Sequence, residues 1–202
     1  MYEITTIFPT SFMRTSINRE LSSDELNRVD HHKNYTYPNG TNLASIDNYI
    51  LNSEFPEIRK FIEDAVNHYA FNIMRIDDDV KFHITQSWLN FVEPGNTHHA
   101  HQHPNSIFSG VFYFNATEEH DSLVFIDHVP YSTIKFAKKD WNIYNCESIA
   151  TPVKTGDLLI FPSSTHHTVD PTSGDYTRIS LAFNTFITGS VGGKKELTQL
   201  IL

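Results

Sequence analysis

The feature that most limits the fold of this chain is a change in hydrophobic period near residue 80. Upstream, Ile58, Phe61, Ile62, Ala65, Val66, Tyr69 and Ala70 recur at steps of three and four. That spacing puts one apolar stripe on a helix over 57–73, and Pro56 suits its first position. A second helix is expected over 44–51. From Val80 onward the period is two. Val80, Phe82, Ile84, Trp88 and Val92 fall on one side of an extended chain, and Lys81, His83, Thr85, Ser87 and Glu93 on the other, since successive strand side chains point to opposite faces. Gln86 and Asn90 interrupt the apolar side. After the turn signal Pro94-Gly95-Asn96, strand-like runs follow at 107–114, 123–126, 158–161 and 178–187, separated by polar turn clusters. Short strands at this spacing behind a helical part predict a mainly β sandwich or barrel, with N-terminal helices packed on one sheet.

A length of 202 residues suits one domain. The expected division is a helical and irregular part over 1–79, a β core over 80–187 and a tail over 188–202. The formal charge of −9 argues against nucleic acid as the main partner, because phosphate binding relies on clustered Lys and Arg. Cys146 is the single cysteine, so no disulfide can form within the chain and a reducing compartment is expected. No run approaches the ~20 apolar residues of a membrane span, and the first residues lack the pattern of a secretory signal. A cytoplasmic protein without a membrane partner is the expectation. An exposed sheet edge would make a homodimer possible.

Histidine is the densest anomaly, with twelve in all and four within His98-His99-Ala100-His101-Gln102-His103. A lone histidine is more often a surface or hydrogen-bonded core residue than a ligand. Here, however, His101 and His103 are two apart at the start of a strand-like segment, so both imidazoles can face one metal ion. A second pair, His166-His167, follows a distant strand, which is how a mononuclear site gains its third ligand. Eleven residues beyond His167 comes Arg178, followed at two-residue steps by Ser180, Ala182 and Asn184. Ile179, Leu181 and Phe183 form the opposite apolar face. Arg178, Ser180 and Asn184 either face solvent or line a wet barrel interior, where an arginine can bind a carboxylate through two hydrogen bonds.

These elements, in this order, resemble the iron(II)- and 2-oxoglutarate-dependent oxygenases of the double-stranded β-helix fold, a jelly-roll, cupin-like architecture. The nearest likeness is to bacterial and phage oxygenases distantly related to prolyl hydroxylases. WLNFVEPG (88–95), HQHPNSIFSGVFY (101–113) and GDLLIFPSSTHHTVDPTSGDYTRISLAFN (156–184) carry the resemblance, and FPTSF (8–12) fits it. The likeness implies His101, His103 and His167 as metal ligands. It implies Arg178, with Ser180 two residues on, as the partner of the far carboxylate of 2-oxoglutarate. Asn90 would be an inward polar residue near the cosubstrate. Fe(II), 2-oxoglutarate and O2 are the implied cofactors, and the reaction would be hydroxylation of a C–H bond.

The chain departs from the family at His103, which stands where the family carries Asp. The usual facial triad is two histidines and one carboxylate, so a third neutral ligand leaves iron one unit more positive. Three-histidine iron also occurs in cupin-type dioxygenases that use no 2-oxoglutarate. That leaves two rival classes: such a dioxygenase, or a catalytically silent jelly-roll module whose histidines hold another metal or none. Arg178 and Ser180 favour 2-oxoglutarate. Glu93 and Asp127 lack the spacing to supply a carboxylate ligand. No Ser-His-Asp or paired-carboxylate constellation is present, so no catalytic residue is expected beyond the ligands. The substrate would be a peptide or protein side chain or a small metabolite, selected by 14–45 and 127–150.

Overall fold

Helix α1 (Ser23–Lys33) starts where its backbone donors find partners. Ser22 Oγ accepts the Glu25 N–H at 3.2 Å and the Glu25 carboxylate accepts the Ser22 N–H at 2.7 Å, a reciprocal cap. Helix α2 (Pro56–Asn67) begins with Pro56 in its first turn, after Phe55 in a left-handed conformation with φ 53°, and widens into a π-helical stretch at His68–Ile73. The helix expected over 57–73 is therefore present. The structure is a computed structural model and describes residues 2–127 and 136–202; part of the 127–150 segment expected to select substrate lies outside that range.

The first eighty residues also give strands β1 (Met13–Ser16), β2 (Thr36–Asn39) and β3 (Asn42–Ser45). The helix expected over 44–51 does not form. Leu43 and Ala44 instead pair with Phe91 and Asn90, and the Asp47 carboxylate accepts the Tyr49 N–H at 2.7 Å, a local turn that competes with a helix. Only a one-turn 3-10 segment follows, at Ile50–Asn52.

The remaining strands are β4 (Val80–Val92), β5 (His98–His101), β6 (Phe108–Asn115), β7 (Ser122–Ile126), β8 (Ser148–Pro152), β9 (Asp157–Pro162), β10 (His167–Val169), β11 (Arg178–Val191) and β12 (Leu200–Ile201). Among the described residues they make a large sheet in the order β1-β9-β6-β11-β4-β3-β2, with β12 on β11, and a four-stranded sheet in the order β5-β10-β7-β8. Every named strand pairing is antiparallel, and the two-sheet arrangement is the double-stranded β-helix that the family resemblance implies.

Gln86 pairs with Asn184 and Ile84 with Thr185, so Thr85 is an extra residue on β4 and the alternation changes phase there. Val80, Phe82 and Ile84 face the helices, but beyond the bulge Ser87, Leu89 and Phe91 do so. Strict alternation from Val80 puts Trp88 and Val92 on its side; in the structure they lie on the opposite side, with Gln86 and Asn90. Asn90 therefore does not interrupt an apolar face.

Two apolar cores result. One lies between α2 and the large sheet and includes Ile58, Ile62, Leu89, Phe91, Leu181 and Phe183. Gly110 on β6 lets Phe183 approach, because a Cβ at residue 110 would sit 2.4 Å from the Phe183 ring and 2.6 Å from the Leu159 carbonyl oxygen. The second core, Tyr113, Ala116, Leu123, Val153, Leu159 and Phe161, lies on the other face of the large sheet.

Candidate metal centre

Strand pairing brings the histidines together. His101 on β5 is directly opposite His167 on β10, and residues opposite one another in an antiparallel pair share a face. His103 lies past the end of β5, where its N–H donates to the Ser163 carbonyl at 2.9 Å and ties the segment to the end of β9. The three rings have centroid separations of 5.0 Å (His101–His103), 4.4 Å (His101–His167) and 5.2 Å (His103–His167). One nitrogen from each lies within 4.8 Å of the others.

Two of the rings have their tautomer set by the backbone. His101 Nδ1 is 2.8 Å from the His99 carbonyl and His167 Nδ1 is 2.9 Å from the Thr165 carbonyl. A carbonyl only accepts, so each Nδ1 carries the hydrogen and each Nε2 keeps its lone pair. His103 Nε2 and His167 Nε2 are 3.4 Å apart. Nitrogens bound to one tetrahedral ion at ~2.1 Å stand about 3.4 Å apart, so the pair has the spacing of two ligands. Burial, followed by the neighbouring imidazoles, pushes the His103 pKa down to about 3. Burial also lowers His167 to about 4 and moves His101 downward. These rings are neutral at physiological pH, the form that ligates a metal. Trp88 flanks His103 at 6.0 Å and Phe161 meets His167 edge-on at 4.8 Å.

Arg178, Ser180 and Asn184 share the face of Val92, Asn90 and Gln86 across β4, and Ser180 lies opposite Tyr113 on β6. Arg178 is 2% exposed. Its Nη1 donates to Asp121 Oδ1 at 3.3 Å and, with Nη2, to the Asp170 carbonyl at 3.4 and 3.5 Å. These are long contacts, so the guanidinium keeps donors for a stronger acceptor. Burial pulls its pKa down, opposed by Tyr113, Asp121 and Tyr176, and it remains a cation throughout the accessible pH range. Asp121 Oδ2 accepts from the Thr117 N–H at 3.0 Å and from the Tyr176 hydroxyl. Asn90 is buried and its Oδ1 accepts from Asn42 at 3.1 Å.

The structure thus gathers His101, His103 and His167 in one group and sets Arg178, Ser180 and Asn90 on one face of adjacent strands. Glu93 accepts from Thr177 at the rim instead, and neither it nor Asp127 belongs to a metal-capable group among the described residues. Sequence reasoning missed Asp121, at the end of the turn cluster 115–121, and Tyr176, one residue past the cluster 170–175. It also missed Tyr113, whose alternation within 107–114 was visible but whose neighbour across the sheet was not.

Comparisons with known proteins bear on the fold and the family. Residues 86–184 match the family described as "Putative 2OG-Fe(II) oxygenase". No curated protein matches the chain significantly. Among solved structures, an oxidoreductase of the 2OG-Fe(II) oxygenase family from Burkholderia pseudomallei is similar, at 13% identity and a TM-score of 0.55 over 86% of this chain and 83% of that one. A Pseudomonas putida prolyl-4-hydroxylase is similar at 13% identity and 0.56 over 87% and 92%. So is the epimerase SnoN of nogalamycin biosynthesis, solved with Fe3+, alpha ketoglutarate and nogalamycin RO, at 11% and 0.60 over 95% and 86%. At such identities the structures establish the fold, and the family match adds the chemistry. Over residues 86–184 the chain is similar to the Fe(II)- and 2-oxoglutarate-dependent oxygenases.

Proposed function

We propose that His101, His103 and His167 hold the iron, that Arg178 and Ser180 bind the far carboxylate of 2-oxoglutarate, and that the enzyme hydroxylates a C–H bond of a peptide side chain or small metabolite. The observation that carries this reading is the 3.4 Å approach of His103 Nε2 to His167 Nε2. If neither nitrogen carried a hydrogen the two lone pairs would repel, and a cation between them removes that conflict. The donor set fits a divalent transition metal: three neutral imidazoles, two of them oriented by backbone carbonyls. Bound there, iron and cosubstrate would supply, with O2 as the oxidant, the oxidative decarboxylation of 2-oxoglutarate to succinate and CO2 coupled to hydroxylation, one oxygen atom going to succinate and one to the substrate.

The chain's own residues bind, orient and exclude water. Arg178 offers a planar fork to the carboxylate and Ser180 adds a hydroxyl two residues on. Tyr113 and Asn90 complete that polar wall, and Leu159 and Phe161 keep the space behind it dry. For the substrate, a cavity of about 470 Å³ lined by Phe12, Phe125, Ile149, Phe161, Thr165 and others abuts the residues that touch His167. Of the two segments expected to select substrate, 127–150 contributes Asp127 and 146–149 to its walls and 14–45 contributes none. We read 1–202 as one domain working in the cytoplasm, a reading supported by its single cysteine. No helix among the described residues is long and apolar enough to cross a membrane.

Anaerobic titration with Fe(II) and then 2-oxoglutarate tests the assignment. A metal-to-ligand charge-transfer band should appear, should vanish in His167→Ala, and should need far more 2-oxoglutarate in Arg178→Ala. No band at saturating cosubstrate, or a band indifferent to His167, would sink it.

A further inference from the structure

His98 and His99 are adjacent on a strand and should point to opposite faces. They do not separate, because β5 is bulged. His101 pairs with His167 and His98 with Val169, so His99 and Ala100 on β5 stand against Thr168 alone on β10. Thr168 Oγ1 donates to the His98 carbonyl at 2.7 Å, which holds the bulge in place. As a result the His98 ring lies 5.0 Å from that of His99 and 4.6 Å from that of His101, and His99 lies 5.2 Å from His101. One nitrogen from each of the three lies within 4.8 Å of the other two.

This group shares His101 with the triad. His101 Nδ1 is held by the His99 carbonyl, so Nε2 is its one free nitrogen and both groups must use it. An ion can therefore occupy one position or the other, but not both. Exposure falls from His99, which is open to solvent, through His98 and His101 to His167, which is buried. No hydrogen bond to a ring nitrogen of His98 or His99 is present among the described residues, so the outer group is less preorganised than the triad and should bind more weakly. Three imidazoles without a carboxylate select a transition metal over Mg2+ or Ca2+.

We propose that His98, His99 and His101 form an outer position for a divalent transition metal, from which the ion passes to His103 and His167 by exchanging ligands around the shared His101. The proposal rests on the triad as the resident site. The transfer is simple ligand exchange: imidazoles replace one another on the ion, with no change in oxidation state.

Untagged protein titrated with Co(II), followed by its ligand-field absorption, tests this. Wild type should bind one equivalent, not two. His103→Ala/His167→Ala should still bind one, about 10–100-fold more weakly, and should lose it when His98→Ala and His99→Ala are added. Uptake by His98→Ala/His99→Ala, which keeps the triad, should be several-fold slower than wild type yet reach the same final occupancy. This kinetic arm stands even if His103→Ala/His167→Ala fails to fold. If that variant folds and takes up no Co(II) while wild type does, the outer position is overturned and the triad stands. Two equivalents in wild type would refute the sharing of His101, and unchanged uptake in His98→Ala/His99→Ala would refute the loading role. A wild type that takes up none removes the triad reading and this one with it.

Discussion

The two faces of β11 are equally dry and chemically opposite. On one, Leu181 and Phe183 are 0% exposed against the helices; on the other, Arg178 is 2% and Asn184 9% exposed. The first face is held by apolar burial, worth roughly 1.5–3 kcal/mol for each large side chain. The second contains a cation, hydroxyls and amides, which are tolerable in a dry place only when partnered. Ser109 Oγ donates to Asn184 Oδ1 at 2.8 Å and lies 2.7 Å from Ser163 Oγ, while Asp121 faces Arg178. Burial alone thus does not separate scaffold from site. What separates them is whether the buried groups keep spare bonding capacity. The apolar face has none to offer, whereas Arg178 and the histidines do.

The largest expected effect comes from breaking the polar side at the metal. Losing a residue that merely orients a ligand costs about 10–100-fold in metal affinity, so His167→Ala should cost more than about 100-fold while leaving the far-UV spectrum intact. Equilibrium dialysis against Co(II) would show it, and a wild-type affinity in His167→Ala would end the ligand assignment. Arg178→Met comes next. It leaves the Asp121 carboxylate buried without its cation, which should destabilise the fold by about 3–5 kcal/mol. Adding Asp121→Asn should recover most of that stability but none of the 2-oxoglutarate binding. Denaturant unfolding and cosubstrate titration on the single and double variants separate the two roles. Binding that returns with stability would make Arg178 structural.

The same contrast explains what the sequence discloses. The alternation of Arg178, Ser180 and Asn184 against Ile179, Leu181 and Phe183 is visible because β11 keeps its period through that stretch. The facing strand β4 does not, since the bulge at Thr85 reverses the sides of Trp88 and Val92, and a one-residue slip leaves no compositional trace. Spacing and resemblance pick out His101, His103 and His167, and the structure gathers them. His98 joins them only through a second bulge, which the run of histidines hides. Helix α1 was missed because its burial rests on few apolar residues, chiefly Val29, and its strongest signal is the Ser22–Glu25 cap. Asp121 is long-range chemistry, 57 residues before Arg178, which no local pattern can announce.

The apolar side is sharpened by Phe183→Ala. Removing a fully buried ring should cost about 3–5 kcal/mol in denaturant unfolding, and Co(II) affinity of the folded protein should stay at the wild-type value. A drop in affinity matching the drop in stability would mean that the two faces are not separable.

The smallest effect is pH, and its sign follows from burial. Unfolded histidines titrate near ~6.5, while His103 and His167 are pushed down to about 3 and about 4. Between those values and 6.5 the unfolded chain binds protons that the metal-free folded chain refuses, so stability rises with pH across that window. The contribution is complete above about 6.5 and fades as pH falls towards 4. The apolar face has no titrating group and cannot add to the slope. Chelator-treated wild type should therefore unfold at lower denaturant at pH 5 than at pH 7, and His103→Gln/His167→Gln should flatten that difference. A midpoint equally pH-dependent in both would place the titration elsewhere. The same shifts bear on metal binding, because a proton competes with the ion for each imidazole. With folded values this low, Co(II) affinity should hold nearly level from pH 7 to 5.5, where ordinary histidines would already begin to lose it.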